Sequence, residues 1–176
     1  MESKLEKALK WIVNILKKHN VPFQIAGGFA AHIYGAKRSV NDIDLDIPEE
    51  KFKTILPDIE KYITFGPDRL KDEKWDLDLI VLNYEGQMID ISGAYKTKIY
   101  NEKNKTWESY PAQFETAQIK TIFEIEVYVM NPKDLMEYKK ILNGEHQKID
   151  IEAVKNYLVD FSQHHTTELN RFRHVR

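Results

Sequence analysis

The chain has 176 residues, 42% of them hydrophobic and 31% charged, with a formal charge of −2 and no cysteine. That mix suits a globular domain with a real core, and the lack of cysteine excludes disulfides, thiolate zinc sites and cysteine nucleophiles together. The near-neutral charge leaves no general nucleic-acid footprint, and the lack of a long apolar run or signal-peptide pattern sets a cytoplasmic, membrane-free expectation.

In chain order, Ser3 to Glu6 has the form of a capping box, and Leu5, Ala8, Leu9, Ile12, Val13 and Leu16 repeat at helical spacing. A first helix is predicted to about His19, where Asn20-Val-Pro22 stops it, with Trp11 as a packing residue. Phe23, Ile25 and Ala26 read as a short strand broken by Gly27-Gly28. Phe29 to Tyr34 suits one or two helical turns that Gly35 can end. After the basic pair Lys37-Arg38 the period becomes two. Asp42, Asp44 and Asp46 face one side of a strand, and Ile43, Leu45 and Ile47 the other.

Pro48 opens a surface helix to about Tyr62, with Pro57 expected to interrupt or kink it. Residues 65–74 are polar and read as a loop. Trp75 to Leu82 and Met88 to Ser92 read as two strands joined by a turn at 83–86. Residues 95–111 lack a clear period and read as a long loop over one edge of the site, with at most a strand piece. Strands are predicted at 116–123 and 125–130. Asn131-Pro132 starts a helix carrying Leu135, Tyr138, Lys139 and Leu142, which stops at Asn143-Gly144. A last helix is expected from about Lys148 to Gln163, with Ile149 or Ile151, Val154, Leu158 and Phe161 on one side. The charged tail from His164-His165 to Arg176 is expected to fray. The architecture expected is an α/β (α+β) fold, a mixed sheet flanked by helices. Residues 1–130 form its core and 131–176 a helical extension of the same domain.

Two or three carboxylates side by side on one strand face are costly without a cation, and such oxygen donors suit one or two Mg²⁺ ions. Taken alone, an Asp-x-Asp strand is as well explained by a solvated edge. Here Gly27-Gly28 precedes it by thirteen residues. The full pattern Gly-Gly-x-Ala-x-x-x-x-Gly-x-x-Arg-x-x-x-Asp-Ile-Asp-Leu spans Gly27 to Leu45. It resembles the signature of the DNA polymerase β-like nucleotidyltransferase superfamily, and in particular its small members such as the lincosamide nucleotidyltransferases. The likeness covers roughly the first two-thirds of the chain.

The resemblance implies Mg²⁺-dependent transfer of a nucleoside monophosphate, from ATP or another nucleoside triphosphate, to an acceptor hydroxyl. Two ions would be held by Asp42, Asp44 and a third acid on a neighbouring strand. Asp90, alone between Ile89 and Ile91, is the candidate for that acid and for the base; Asp78 is the lesser one. Asp76 and Asp78 read as the solvent face of an edge strand, and Asp46 as an outer member of the acidic face. The resemblance gives Gly27, Gly28 and the Phe29 amide to the triphosphate, although many relatives have serine where Gly28 stands. Arg38, with Lys37, could neutralise phosphate. Lys139 is similar to a lysine that relatives point at the nucleotide. His32 is expected to be buried or to cap its helix, and His146, His164 and His165 lack zinc-site spacing.

The acceptor stays open among small molecules, tRNA and protein. A homodimer would help so small a chain enclose its substrate. Minimal members of the superfamily also act as antitoxins, so binding or modifying a helical ribonuclease toxin is the competing expectation.

Overall fold

The computed structural model describes residues 2–173, with side chains as far as Gln163. Helix α1 (Lys4–Lys18) starts where the Ser3 hydroxyl accepts a bond from the Glu6 amide at 3.1 Å, and it buries Leu9, Ile12, Val13 and Leu16. Trp11 stacks on Tyr84 with ring centres 4.2 Å apart and meets Tyr62 edge-on. Strand β1 (Gln24–Ile25) leads into α2 (Gly27–Ile33), so the helix starts at the first glycine and not after the pair.

β2 (Asp42–Ile47) alternates as expected, with Ile43, Leu45 and Ile47 fully buried. The helix expected over 48–62 is divided. Single 3-10 turns at Glu49–Lys51 and Glu60–Tyr62 flank α3 (Phe52–Ile59), which tolerates Pro57 near its end.

Of the loop expected over 65–74, only 72–74 are a turn; 65–71 are strand. β3 (Ile63–Lys71) pairs antiparallel with β4 (Trp75–Tyr84) through a ladder with two register shifts. It looked like a loop because most of its side chains are exposed, so no apolar period survives. β5 (Gln87–Gly93) follows. Most of the long loop expected over 95–111 is a hairpin of β6 (Lys98–Asn101) and β7 (Thr106–Ser109). β8 (Gln118–Ile122) and β9 (Ile125–Val129) form the expected last hairpin.

Among the described residues the sheet has nine strands in the order β7-β6-β4-β5-β2-β1-β9-β8, with β3 also on β4. β2 lies parallel to β5 and β1 parallel to β9; the other pairs are antiparallel. Such mixing is common in α+β folds. β4 is therefore an interior strand, and Asp76 and Asp78 do not sit on a free edge.

Helix α4 (Pro132–Leu142) begins with the Asn131 side chain accepting from the Lys133 amide at 2.9 Å, the cap its sequence predicts. α5 (Glu145–Arg173) starts earlier than expected and continues through His164-His165, so the stretch 164–173 is helical rather than frayed; 174–176 lie outside the described residues. Val154 is fully buried, whereas Ile149 and Phe161 are about half exposed. Among the described residues no helix is long and apolar enough to cross a membrane. Leu45 sits in the core on the strand that carries the acids. Leu45→Ala should lower unfolding free energy by about 2–5 kcal/mol, read by denaturant titration.

Candidate active site

The parallel register of β2 and β5 sets Asp44 beside Asp90 and Asp42 beside Met88. Alternation along β2 turns Asp42 and Asp44 to the face on which Asp90 stands. One carboxylate oxygen from each of Asp42, Asp44 and Asp90 lies within 4.8 Å of the others, and all three residues are partly buried. Burial, then the charges of Asp42 and Asp90, pushes the Asp44 carboxyl up to about 7, although the Gly28 amide and Lys139 pull it down. Burial and the Asp42 charge push Asp90 up to about 6. Like charges this close raise one another's proton affinity unless a cation joins them. All the donors are hard oxygens, so the set fits a divalent ion such as Mg²⁺ better than a metal that prefers thiolate or imidazole.

The two glycines bring backbone against these groups. Gly27 has φ +59°, and a Cβ there would fall inside the Asp44 carboxylate; one at Gly28 would fall on the Arg38 guanidinium. The Gly28 amide donates to Asp44 Oδ2 at 3.1 Å, so the donor expected to face phosphate is here engaged by an acid of the cluster. Phe29 is 1% exposed and packs in the core.

Arg38 and Lys139 come together, and both bond to a residue that the sequence reading did not single out. Asp150, fully buried on α5, accepts from Arg38 Nε at 2.7 Å, Arg38 Nη2 at 2.8 Å and Lys139 Nζ at 2.9 Å. Lys37 is exposed. His32 is exposed, not buried, and its Nδ1 lies 3.1 Å from the carbonyl oxygen of Ala36 in the loop beyond α2, so it does not cap the helix. The side chains of His164 and His165 are outside the described residues.

Two cavities meet at the cluster. A basic one of about 480 Å³ is lined by Gly27, Gly28, Arg38, Asp42, Lys139 and Gln147, among others. A second of about 220 Å³ is walled by Asp46, Asp90, Trp75, Tyr110 and Met130, among others. Asp44 and Tyr138 line both. Asp46 is thus part of the second cavity; Gln24 Nε2 donates to it at 2.9 Å, and burial pushes its carboxyl up to about 6 against that bond. Burial, followed by the charges of Asp44 and Asp46, holds the Tyr138 hydroxyl well above its ordinary value, so it stays protonated. Asp76 and Asp78 are held by Arg69, at 2.7 Å and 3.5 Å, away from the cluster.

No protein-family model matches the chain, and no curated protein matches it in sequence. Solved structures do match in three dimensions. A candidate nucleotidyltransferase from Thermotoga maritima is 19% identical with a TM-score of 0.63, over 94% of this chain and 92% of that one. The antibiotic-resistance factor ANT(2'')-Ia in complex with adenylyl-2''-tobramycin is 14% identical with a TM-score of 0.61, over 98% and 100%. A lincosamide antibiotic adenylyltransferase with lincomycin bound is 14% identical with a TM-score of 0.58, over 88% and 98%. At these identities the match concerns backbone architecture, and it agrees with the glycine turn and acidic strand read from the sequence. The chain has the nucleotidyltransferase fold.

Proposed function

We propose that the protein transfers a nucleoside monophosphate, AMP from ATP being the first choice, to an acceptor hydroxyl with release of pyrophosphate. The observation that carries this reading is the position of the Asp42–Asp44–Asp90 cluster at the junction of two cavities of opposite character. Arg38 and Lys139 give the basic cavity the charge that a triphosphate requires. The other cavity has acids, aromatics and aliphatics in its wall and no lysine, arginine or histidine among the described residues. It suits a neutral or cationic acceptor and disfavours a phosphorylated one. At about 220 Å³ it is smaller than a usual ligand pocket, so it would enclose one ring-sized part of a small molecule. The adenylyltransferases of like fold, with lincomycin and adenylyl-tobramycin bound, make small-molecule acceptors the natural first panel.

In this reading the acceptor oxygen attacks the α-phosphorus in line, the bond to the β-phosphate oxygen breaks, and the electron pair leaves with pyrophosphate. Asp90, held near neutrality and opening on the acceptor cavity, takes the hydroxyl proton. Arg38 and Lys139 hold the phosphates. Gly27 and Gly28 let the chain pass closely by, since neither offers a Cβ to block the approach. Asp42, Asp44 and Asp90 would hold Mg²⁺, which when bound offsets their repulsion and polarises phosphate oxygens. The cytosol, which supplies both ATP and Mg²⁺, is the setting this chemistry calls for.

The raised carboxyls also couple the site to stability. The folded state binds protons at Asp44, Asp46 and Asp90 more tightly than the unfolded chain does, so their favourable contribution is complete below about pH 4 and is lost as pH rises through about 6 to 7. Asp58, Asp76 and Asp150 are shifted the opposite way, below their ordinary value, so their contribution is fully present at neutral pH and is lost only as pH falls below the usual carboxylate range. In EDTA the thermal midpoint should therefore fall between pH 5 and 7.5, on the order of a few degrees, and Asp44→Asn should flatten that slope. A wild-type slope that survives the substitution would count against the electrostatics described. For activity, Mg²⁺-dependent pyrophosphate release from ATP over a panel of hydroxyl acceptors should drop at least about a hundredfold in Asp44→Ala. Undiminished turnover in that variant would sink the assignment.

A further inference from the structure

Behind the basic cavity, one carboxylate serves two cations from different elements. Arg38 comes from the loop after α2, Lys139 from α4 and Asp150 from α5. Arg38 and Lys139 line the cavity, whereas Asp150 stands behind them. The Lys139 side chain is only 4% exposed and the Asp150 side chain not at all. A lysine that deeply placed beside a guanidinium would be repelled and poorly solvated without a partner. Burial pushes the Asp150 carboxyl up, but the bonds from Arg38 and Lys139 outweigh it and hold it below the usual carboxylate range, so it is ionised.

We infer that Asp150 is a positioning residue for nucleotide binding, which aligns Arg38 and Lys139 toward the phosphate cavity and itself touches no substrate. The inference rests on the nucleotidyl-transfer reading of that cavity. The side-on pair through Nε and Nη2 fixes the guanidinium plane, and it does so where Gly28 leaves room for Nη2. Nη1 keeps only a 3.4 Å contact to the Ser39 carbonyl, and Lys139 Nζ uses one of its three donors on Asp150. Donors therefore remain for phosphate on both cations.

A purely through-space effect of Asp150 would have the opposite sign. An anion behind a polyphosphate site repels the ligand, so removing its charge without moving the cations would tighten binding. Loss of alignment weakens it.

The test is calorimetric titration of wild type and Asp150→Asn with a non-hydrolysable ATP analogue in Mg²⁺, beside steady-state kinetics. Positioning predicts that Asp150→Asn weakens analogue binding on the order of tenfold, as for other residues that orient a ligand-binding group. KM for ATP should rise more than kcat falls. Affinity equal to wild type, or tighter, overturns the inference. Asp150→Glu keeps the charge but lengthens the arm, and it covers the case in which the asparagine variant does not fold. It should bind at least about threefold more weakly, and wild-type affinity in it overturns the inference equally. A wild-type protein that fails to bind the analogue would overturn this inference and the nucleotidyl-transfer reading together. Wild-type binding with unaffected variants would overturn only the role of Asp150.

Discussion

The main-chain ladder between β2 and β5 holds Asp44 beside Asp90, and it does so against the repulsion of their charges. Isoleucines and leucines on the reverse face of both strands lock that register, because slipping by one residue would turn Ile43 and Leu45 out of the core and the acids in. Hydrophobic burial is thus set against electrostatics at a single place. The conflict is relieved by protonation, or by a cation; Lys139 relieves it only in part, since burial and the neighbouring acids outweigh its pull on Asp44 and Asp150 also engages it.

The same geometry separates what the two cavities can receive. Positive charge lies on one side of the acids, and aromatic rings with further acid on the other. Tyr138 stands in both walls with its hydroxyl protonated, and its ring lies 5.7 Å from Tyr110 and 6.0 Å from Trp75. In the proposed reading a polyphosphate and a hydroxylated ring would meet at the carboxylates from opposite sides, the polyphosphate being kept from the smaller cavity by its acids and its size.

How legible a residue was in the sequence depended on whether its neighbours displayed a period. β2 was readable because acids and branched aliphatics alternate without exception, and Asp90 because it stands alone among isoleucines. β3 was not, since a strand exposed on most positions carries no apolar rhythm and exists through its pairing with β4. α5 misled in another way. Its buried stripe runs Gln147, Asp150, Val154, so two of three inward positions are polar and the isoleucines flanking Asp150 offered a false choice of face. Only the packing of α5 on α2 and α4 shows that the aspartate lies inside.

One bond described by neither side chains nor charge ties this together. The Ala26 amide donates to the Asp44 carbonyl at 2.9 Å, just ahead of Gly27. The bend and the acid strand are thus stitched by main chain alone, at a point that only a proline in place of Ala26, which has no N–H, would unpick. Such a stitch keeps the distance from bend to acid constant without calling on any side chain, apart from the two glycines whose close approach it requires.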